Sequence, residues 1–390
     1  MNDTPEPMVA ERMTRIQPFR VMELLARARE LEEQGRSIIH MEVGEPDFDT
    51  PAPVVEAGRR ALSDGRTHYT PARGLAPLRR AIAEFYERQF ALDVDPERIL
   101  VTPGASGALQ LVLATLVDPG AEVLMTDPGY PCNRNFVHLV DAVPVAVPVA
   151  ARTGYQPTAR QLGENWSART RAVLLASPSN PTGTLLDPGE LRAIHEHAAQ
   201  HGVHVILDEI YQGLTYGTES TSALAVADDI FVINSFSKYF GMTGWRLGWV
   251  VAPAEYVPAL DKLAQNLFLS APTPAQYAAL AAFEPETLAI LEARRQEFQR
   301  RRDYLVPALQ EIGFEVPVTP DGAFYVYAGC GRFTDDSFRF CRELLERIGV
   351  ALTPGTDFGT HHAGRQVRFA YTTSMEKLEE GVRRLGETLA

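Results

Sequence analysis

Short apolar runs alternate with amphipathic stretches from about residue 98 onwards. The first run, Ile99–Thr102, is followed by Gly104 and a stretch with Leu109, Val112 and Leu113 on one helical face. Strands that are buried on both faces are continuously apolar, and helices between them cover the two faces. The pattern therefore predicts a mostly parallel sheet, with further strands at 122–126, 172–176, 203–207 and 230–234.

The segments outside this block have a different pattern. Residues 19–34 have the spacing of an amphipathic helix, and residues 275–312 are helical by periodicity. A short strand, a helix and another strand follow, at 324–327, 335–348 and 367–370. We therefore predict an α/β fold: a large domain with a seven-stranded type of sheet, plus a smaller α+β domain formed from both chain ends. The predicted segments are a flexible arm (1–18), the small domain (19–48 and 286–390) and the large domain (49–285).

Composition narrows the range of partners. The chain has 390 residues, of which 45 % are hydrophobic and 22 % charged, as in ordinary globular proteins. A net charge of −13 argues against nucleic acid or an anionic membrane as the main partner. No apolar run approaches the roughly 20 residues that span a bilayer. The polar start of the chain and three scattered cysteines lead us to expect a cytoplasmic protein without a zinc site.

Polar residues fall where the predicted strands end, which is where open α/β sheets bind ligands. Gly104 begins a helix whose first N–H groups suit a phosphate. Tyr130 follows the next strand, and Asn180 lies in a turn with two prolines and a glycine. Asp208 comes directly after Val-Ile-Leu, where a buried carboxylate needs a partner such as a pyridinium N–H. Together these residues predict one polar site at one sheet edge.

Lys238 carries the most specific chemistry. It lies close to the hydroxyls of Ser235 and Ser237, and Arg246 follows eight positions later. Hydroxyls and a guanidinium can grip a phosphate, while the lysine amine can bind a carbonyl covalently. A cofactor with an aldehyde and a phosphate fits this description, and pyridoxal phosphate is the obvious one.

The same residues carry a family resemblance from about residue 38 to the C-terminus. The chain resembles the pyridoxal-phosphate-dependent aminotransferases of class I/II, the fold type I group that includes aspartate aminotransferase. The motifs occur in the family's order: Gly44-Glu45-Pro46-Asp47-Phe48, Tyr69-Thr70-Pro71 with Gly74, Asn180-Pro181-Thr182-Gly183, Asp208-Glu209-Ile210-Tyr211, Ser237-Lys238 with Arg246, and Arg368.

The resemblance implies roles at the cofactor ring. Lys238 matches the Schiff-base lysine, and Asp208 matches the acid that pairs with the pyridine nitrogen. Asn180 and Tyr211 match the groups that hydrogen-bond the ring's phenolic oxygen, and Tyr130 matches the aromatic residue that stacks on the ring. Lys238, Asp208 and Tyr211 are thus the implied catalytic residues.

The resemblance also implies roles around the ring. Arg368 matches the arginine that grips the substrate α-carboxylate, with Gly44 and Asn180 beside it. Tyr69 matches a tyrosine that reaches the phosphate in the neighbouring subunit, which implies a homodimer with shared active sites. The implied phosphate cup consists of Ala105, Ser106, Ser235, Ser237 and Arg246. The implied reaction is a ping-pong transfer of an amino group between an L-amino acid and a 2-oxo acid.

Three alternatives stay open at this point. The same fold hosts pyridoxal-phosphate-dependent lyases and decarboxylases, since fold alone does not choose a reaction. A non-catalytic ligand sensor is disfavoured, because this acidic sequence has no room for a fused winged helix before residue 19. A nucleotide-binding protein is disfavoured, because no strand is followed by Gly-x-Gly-x-x-Gly.

Substrate preference is less constrained by the sequence. Ser106 lies where some aspartate-using relatives carry a lysine, which weakens an aspartate assignment. Phe19, Tyr69 and Phe268 are candidates for a side-chain pocket that accepts apolar or aromatic groups. His197 and His201 are spaced like a metal pair, but no carboxylate completes a recognised zinc arrangement, so we expect no metal.

Overall fold

The computed structural model describes residues 8–218 and 221–389; residues 1–7 of the predicted arm and Ala390 lie outside these ranges. The α-helices are α1 (Arg20–Glu33), α2 (Ala52–Ser63), α3 (Ala76–Phe90), α4 (Gly104–Leu116), α5 (Pro131–Leu139), α6 (Ala159–Glu164), α7 (Pro188–Gln200), α8 (Val257–Leu267), α9 (Thr273–Leu280), α10 (Pro285–Ile312), α11 (Ser337–Ile348) and α12 (Met375–Leu389). The strands are β1 (Ile39–His40), β2 (Ile99–Thr102), β3 (Glu122–Asp127), β4 (Val143–Pro148), β5 (Thr170–Ala176), β6 (His204–Asp208), β7 (Phe231–Ser235), β8 (Gly248–Val251), β9 (Tyr325–Gly329), β10 (Val350–Ala351), β11 (Thr353–Pro354) and β12 (Gln366–Ala370).

The central sheet has seven strands in the order β2-β8-β7-β6-β5-β3-β4. Only β8 runs against its neighbours, so the prediction of a mostly parallel sheet is confirmed. Two of these strands were not predicted. β4 is an edge strand with two prolines and several exposed positions, and β8 is four residues long and follows a turn rather than a helix. β4 lacks the long apolar run that marks a central parallel strand. β8 does lie in an apolar run, residues 247–252, and all four of its residues are buried, so its omission was an error of interpretation.

Helices cover both faces of this sheet, and the side chains of β6 show why its sequence is continuously apolar. Val205 and Leu207 belong to the apolar core on one face, whereas Ile206 belongs to the core on the other face. Successive side chains of a strand point to opposite faces, so every position of β6 needs an apolar residue.

A second, smaller group of strands lies outside the central sheet. β11, β12 and β9 form an antiparallel sheet, and β1 pairs with β10 in parallel. Their shared core includes Leu24, Phe324 and Leu385, so an α+β unit built from both chain ends is confirmed. The boundaries near residues 48 and 285 stay a prediction. Residues 8–18 include a single 3-10 turn, Glu11–Thr14, and Arg12 pairs with Asp141 at 3.0 Å.

No helix in the described ranges is long and apolar enough to cross a membrane. The cytoplasmic location stays a prediction. The histidines in and just after α7 make ordinary contacts: the rings of His197 and His201 pack against Trp166, and His195 pairs with Asp229 at 2.6 Å. Within residues 8–218 and 221–389, no cluster of three His, Cys, Asp or Glu side chains could hold a metal ion.

Candidate active site

A cavity of about 230 Å³ lies where the carboxyl ends of β2, β5, β6 and β7 meet the small sheet. Because these strands run in the same direction, the residues that follow them reach a common edge. Every predicted site residue except Tyr69 lines this cavity: Gly44, Ala105, Ser106, Tyr130, Asn180, Asp208, Tyr211, Ser235, Ser237, Lys238, Arg246 and Arg368. Tyr69 is 81 % exposed and lies outside it.

Lys238 follows β7 and points into the cavity. Its ammonium nitrogen Nζ donates a hydrogen bond to the carbonyl oxygen of Gly44 at 2.7 Å. Burial lowers the pKa of Lys238 to about 8, although the negative charge of Glu45 opposes the shift. The site therefore holds an amine that is partly neutral near physiological pH, which is the form that attacks a carbonyl.

Asp208 is the last residue of β6. One carboxylate oxygen, Oδ1, accepts the backbone N–H of Ile210 at 3.1 Å, and within the described chain Oδ2 has no hydrogen-bond partner. Burial raises the pKa of Asp208 to about 7, while the hydrogen bond from Ile210 and the nearby Lys238 oppose the shift. A buried carboxylate with a free oxygen facing the cavity is suited to a cationic N–H group.

A group of donors surrounds the start of α4. The Ser235 hydroxyl donates to the Ser237 hydroxyl at 2.9 Å, and both side chains are buried. Arg246 adopts a left-handed backbone conformation (φ 53°), and its guanidinium lies against Gly104. Gly104 has a left-handed backbone conformation (φ 72°) that favours glycine, and a Cβ atom there would lie 2.7 Å from Nη2 of Arg246. Hydroxyls, a guanidinium and helix N–H groups together form an anion site.

Arg368 enters the cavity from β12 of the small sheet. Nη1 donates to Oδ1 of Asn180 at 2.9 Å, and Nη2 donates to the carbonyl oxygen of Glu42 at 2.6 Å. The Nε–H is buried and has no partner within the described part of the chain. The guanidinium carbon lies 4.2 Å from the ring centroid of Tyr325. Packing and hydrogen bonds thus fix a planar cation, with one donor free, above the cavity.

Sequence reasoning missed Tyr325, which contacts Tyr211, Gly44 and Arg368. Its hydroxyl lies 2.8 Å from the hydroxyl of Tyr211, and a Cβ atom at Gly44 would clash with it. The strand that contains Tyr325 was predicted, but its alternation alone did not show which face meets the cavity. Glu42 and Thr243 line the cavity as well and were also missed.

One wall of the cavity is apolar. Phe19 and the α1 residues Met22 and Leu25 form it. Of the three residues predicted for a side-chain pocket, only Phe19 lines the cavity of its own chain. Phe268 packs against an apolar core beneath the central sheet instead.

The comparisons with known proteins agree with this geometry. The profile of the family "Aminotransferase class I and II" matches residues 36–385. A (5-formylfuran-3-yl)methyl phosphate transaminase of Methanocaldococcus jannaschii is 40% identical over 98% of this chain and 100% of its own. A valine–pyruvate aminotransferase of Mycobacterium tuberculosis is 39% identical over 96% and 97%.

Among solved structures, an aminotransferase from Mycobacterium tuberculosis superimposes with a TM-score of 0.95 at 39% identity, covering 98% of this chain and 99% of its own. The agreement thus extends from the sequence to the whole fold. The chain therefore belongs to the class I and II aminotransferases and transfers amino groups.

Proposed function

We propose that this aminotransferase works with pyridoxal 5′-phosphate in the 230 Å³ cavity and that Lys238 attaches it. The observation that carries the proposal is that an amine, a buried carboxylate and an anion site share one cavity. Lys238 provides the amine, Asp208 the carboxylate, and the group around Arg246 the anion site. When bound, the cofactor supplies an aldehyde for the substrate amine and a ring that takes up the electron pair released at Cα.

Each ring contact has a residue suited to it. Asp208 has a free Oδ2 with which to hold a proton on the pyridine nitrogen. Asn180 and Tyr211 offer an amide and a hydroxyl to the phenolic oxygen, and Tyr130 offers an aromatic face. The phosphate fits the cup of Ala105, Ser106, Ser235, Ser237 and Arg246, where a Cβ at Gly104 would intrude.

Lys238 is our candidate for the proton carrier. Once the substrate amine has displaced it, the Nζ of Lys238 would take the proton from the substrate Cα. The same nitrogen would then deliver this proton to the C4′ carbon of the cofactor. A pKa of about 8 lets the same nitrogen act as base and acid near neutral pH. Arg368 would bind the α-carboxylate as a fork; its Nε–H is buried and has no partner among residues 8–218 and 221–389, as expected of a donor that a bound ligand satisfies.

The reaction that fits is a ping-pong exchange between an L-amino acid and a 2-oxo acid. Lyase or decarboxylase chemistry on the same fold is not favoured, because the similar proteins are transaminases. Those relatives are named for different substrates, so the comparison does not identify the substrate of this protein. The apolar wall of Phe19, Met22 and Leu25 favours a substrate whose side chain is apolar next to Cα.

We also propose a homodimer in which each chain completes the partner's site. The exposed Tyr69 and Leu269, which is 55% exposed, line the same shallow surface depression. Exposed apolar side chains grouped in this way are typical of an interface. Tyr69 would then reach the phosphate in the partner's cavity.

The test is the absorption spectrum of the purified protein before and after Lys238→Ala. The wild type should show a visible band that bleaches with amino acid donors, and borohydride should fix the cofactor to Lys238. Lys238→Ala should lose turnover and covalent attachment, whereas Lys377→Ala, at a distant exposed lysine of α12, should keep both. Turnover at the wild-type rate in Lys238→Ala would overturn the proposal.

A further inference from the structure

His40 lies between two carboxylates, one partly exposed and one buried. Its Nδ1 atom is 2.7 Å from Oε1 of Glu42, and its Nε2 atom is 3.2 Å from Oε1 of Glu32 in the last turn of α1. An ionised carboxylate only accepts hydrogen bonds, so both contacts are favourable at once only when both ring nitrogens carry a hydrogen. The geometry therefore selects the imidazolium form of His40.

The buried carboxylate depends on this histidine for its counter-charge. Glu42 is fully buried, and its second oxygen, Oε2, has no hydrogen-bond partner within residues 8–218 and 221–389. In the same part of the chain, His40 is the only basic group within 4.0 Å of the Glu42 carboxylate. A buried charge without a partner is costly, so loss of the His40 proton would leave Glu42 in an unfavourable environment.

The backbone of Glu42 contacts the group that we assign to the substrate carboxylate. Its carbonyl oxygen accepts Nη2 of Arg368 at 2.6 Å and the hydroxyl of Thr353 at 2.9 Å. Two residues later, the carbonyl oxygen of Gly44 accepts Nζ of Lys238 at 2.7 Å. This short stretch of backbone therefore joins the ion pair of His40 to two cations of the active site.

Both acidic neighbours of His40 favour its proton. The hydrogen bond to Glu42 raises the pKa of His40 above its ordinary value of 6.5, Glu32 adds to the effect, and burial opposes it. The ion pair is therefore complete below the pKa of His40 and is lost as the pH rises through it.

The other elements around His40 contribute no further ion pair to it. β10, the strand paired with β1, consists of Val350 and Ala351, which do not titrate. Charged residues of α12 and of the segment after α1 share a surface groove with Glu32: Arg36, Glu376, Lys377 and Glu380. In the part of the chain that the structure describes, only Glu32 and Glu42 pair with His40.

We propose that protonated His40 is a positioning residue for Arg368. By holding the side chain of Glu42, it fixes the carbonyl oxygen that orients the guanidinium toward the substrate α-carboxylate. The inference rests on the proposed function, because it needs Arg368 at that carboxylate. Carboxylate binding is then strongest while His40 carries its proton and weakens at higher pH.

The test compares pentanoate with its uncharged analogue pentanamide as competitors of an amino donor on the holoenzyme. At pH 6, His40→Gln should raise the inhibition constant of pentanoate about tenfold, the loss expected when one charge-assisted hydrogen bond is weakened. The constant for pentanamide should stay nearly the same, since pentanamide has no charge for Arg368 to bind. A larger effect on the charged competitor would thus report the orientation of the guanidinium.

The pH profile gives a second readout. In the wild type the constant for pentanoate should rise with pH along a titration whose midpoint lies above 6.5, and His40→Gln should lack this titration. Lys238 titrates in both proteins, so the difference between their profiles reports His40. Glu32→Gln removes one acidic partner at a partly exposed position and should move the midpoint to lower pH.

His195→Gln is the matched control. His195 also pairs with a carboxylate, Asp229 at 2.6 Å, but it does not line the active-site cavity, so both constants should stay unchanged. If His40→Gln does not fold, Glu32→Gln decides, and an unmoved midpoint would overturn the proposal.

Two further results would overturn the positioning role. One is an equal constant for pentanoate in the wild type and His40→Gln at every pH. The other is a parallel rise for pentanoate and pentanamide, which would show a damaged cavity rather than a misoriented cation. Arg368→Gln separates this inference from its basis: if pentanoate binds that variant as tightly as the wild type, the proposed carboxylate site itself fails.

Discussion

The ammonium group of Lys238 donates a 2.7 Å hydrogen bond to the carbonyl oxygen of Gly44, and this bond joins the edge of the central sheet to the N-terminal part of the chain. Two segments 194 residues apart in sequence thus meet at the reactive amine. The bond gives the buried ammonium group a hydrogen-bond acceptor. It also places Gly44, and Tyr325 which lies against it, close to the amine nitrogen.

The rate of cofactor attachment should rise with pH. The neutral amine is the nucleophile, and burial lowers the pKa of Lys238 to about 8. Below that value we expect the rate to fall about tenfold per pH unit, because the neutral fraction falls by that factor. Stopped-flow absorbance after mixing cofactor-free protein with pyridoxal phosphate would measure it. A rate that keeps rising tenfold per unit up to pH 10 would show an ordinary lysine pKa and contradict the assignment.

Asp208→Asn should stabilise the cofactor-free protein at alkaline pH, although it should impair turnover. Burial raises the pKa of Asp208 from 3.8 to about 7, so the folded cofactor-free protein binds more protons than the unfolded chain between those values. Stability is therefore lost as the pH rises from about 4 to 7. At pH 8, above both values, the cofactor-free Asn variant should be more stable than the wild type by on the order of 4 kcal/mol. Urea unfolding at pH 4 and pH 8 would check this.

The same variant should be a poor enzyme. Asparagine carries no charge to hold the ring nitrogen protonated, so turnover should fall by orders of magnitude while some cofactor still binds. Asp229→Asn is a control, since Asp229 is more than half exposed, pairs with His195 and does not line the active-site cavity. Unchanged turnover in Asp208→Asn would contradict the role of this carboxylate.

Gly44→Ala should be destabilising, and Tyr325→Phe should partly rescue it. A methyl group at position 44 would collide with the hydroxyl of Tyr325, which cannot move freely because it is hydrogen-bonded to Tyr211 at 2.8 Å. Overpacking of this kind costs about 1–3 kcal/mol. Thermal unfolding of both single variants and the double variant would show the coupling. Additive losses would mean that Tyr325 is not what excludes a side chain at position 44.

Mixing two inactive variants tests whether Tyr69 serves the partner's site. Lys238→Ala removes the amine, and Tyr69→Ala removes the exposed phenol. A dimer with one chain of each kind would contain one complete site if Tyr69 acts across the interface. Unfolding and refolding the variants together should then restore activity that neither has alone, whereas a Tyr69 that acts within its own chain would restore none.

Local sequence patterns predicted most strands of the central sheet and most residues of the active-site cavity. Continuous apolar runs predicted five strands of the central sheet, because a strand buried on both faces needs apolar residues at every position. Polar residues at the ends of those runs predicted the cavity, since parallel strands end at one edge. The Ser237-Lys238 and Arg246 spacing predicted an anion site beside an amine, and these groups do line one cavity.

Only tertiary structure decided the rest. Tyr325 reaches Tyr211 and Gly44 because the small sheet folds back over the large one, and no local pattern specifies that contact. β4 escaped prediction because an exposed edge strand with two prolines lacks a continuous apolar run. β8 does lie in an apolar run, but only the folded sheet shows that it pairs antiparallel with β2 and β7.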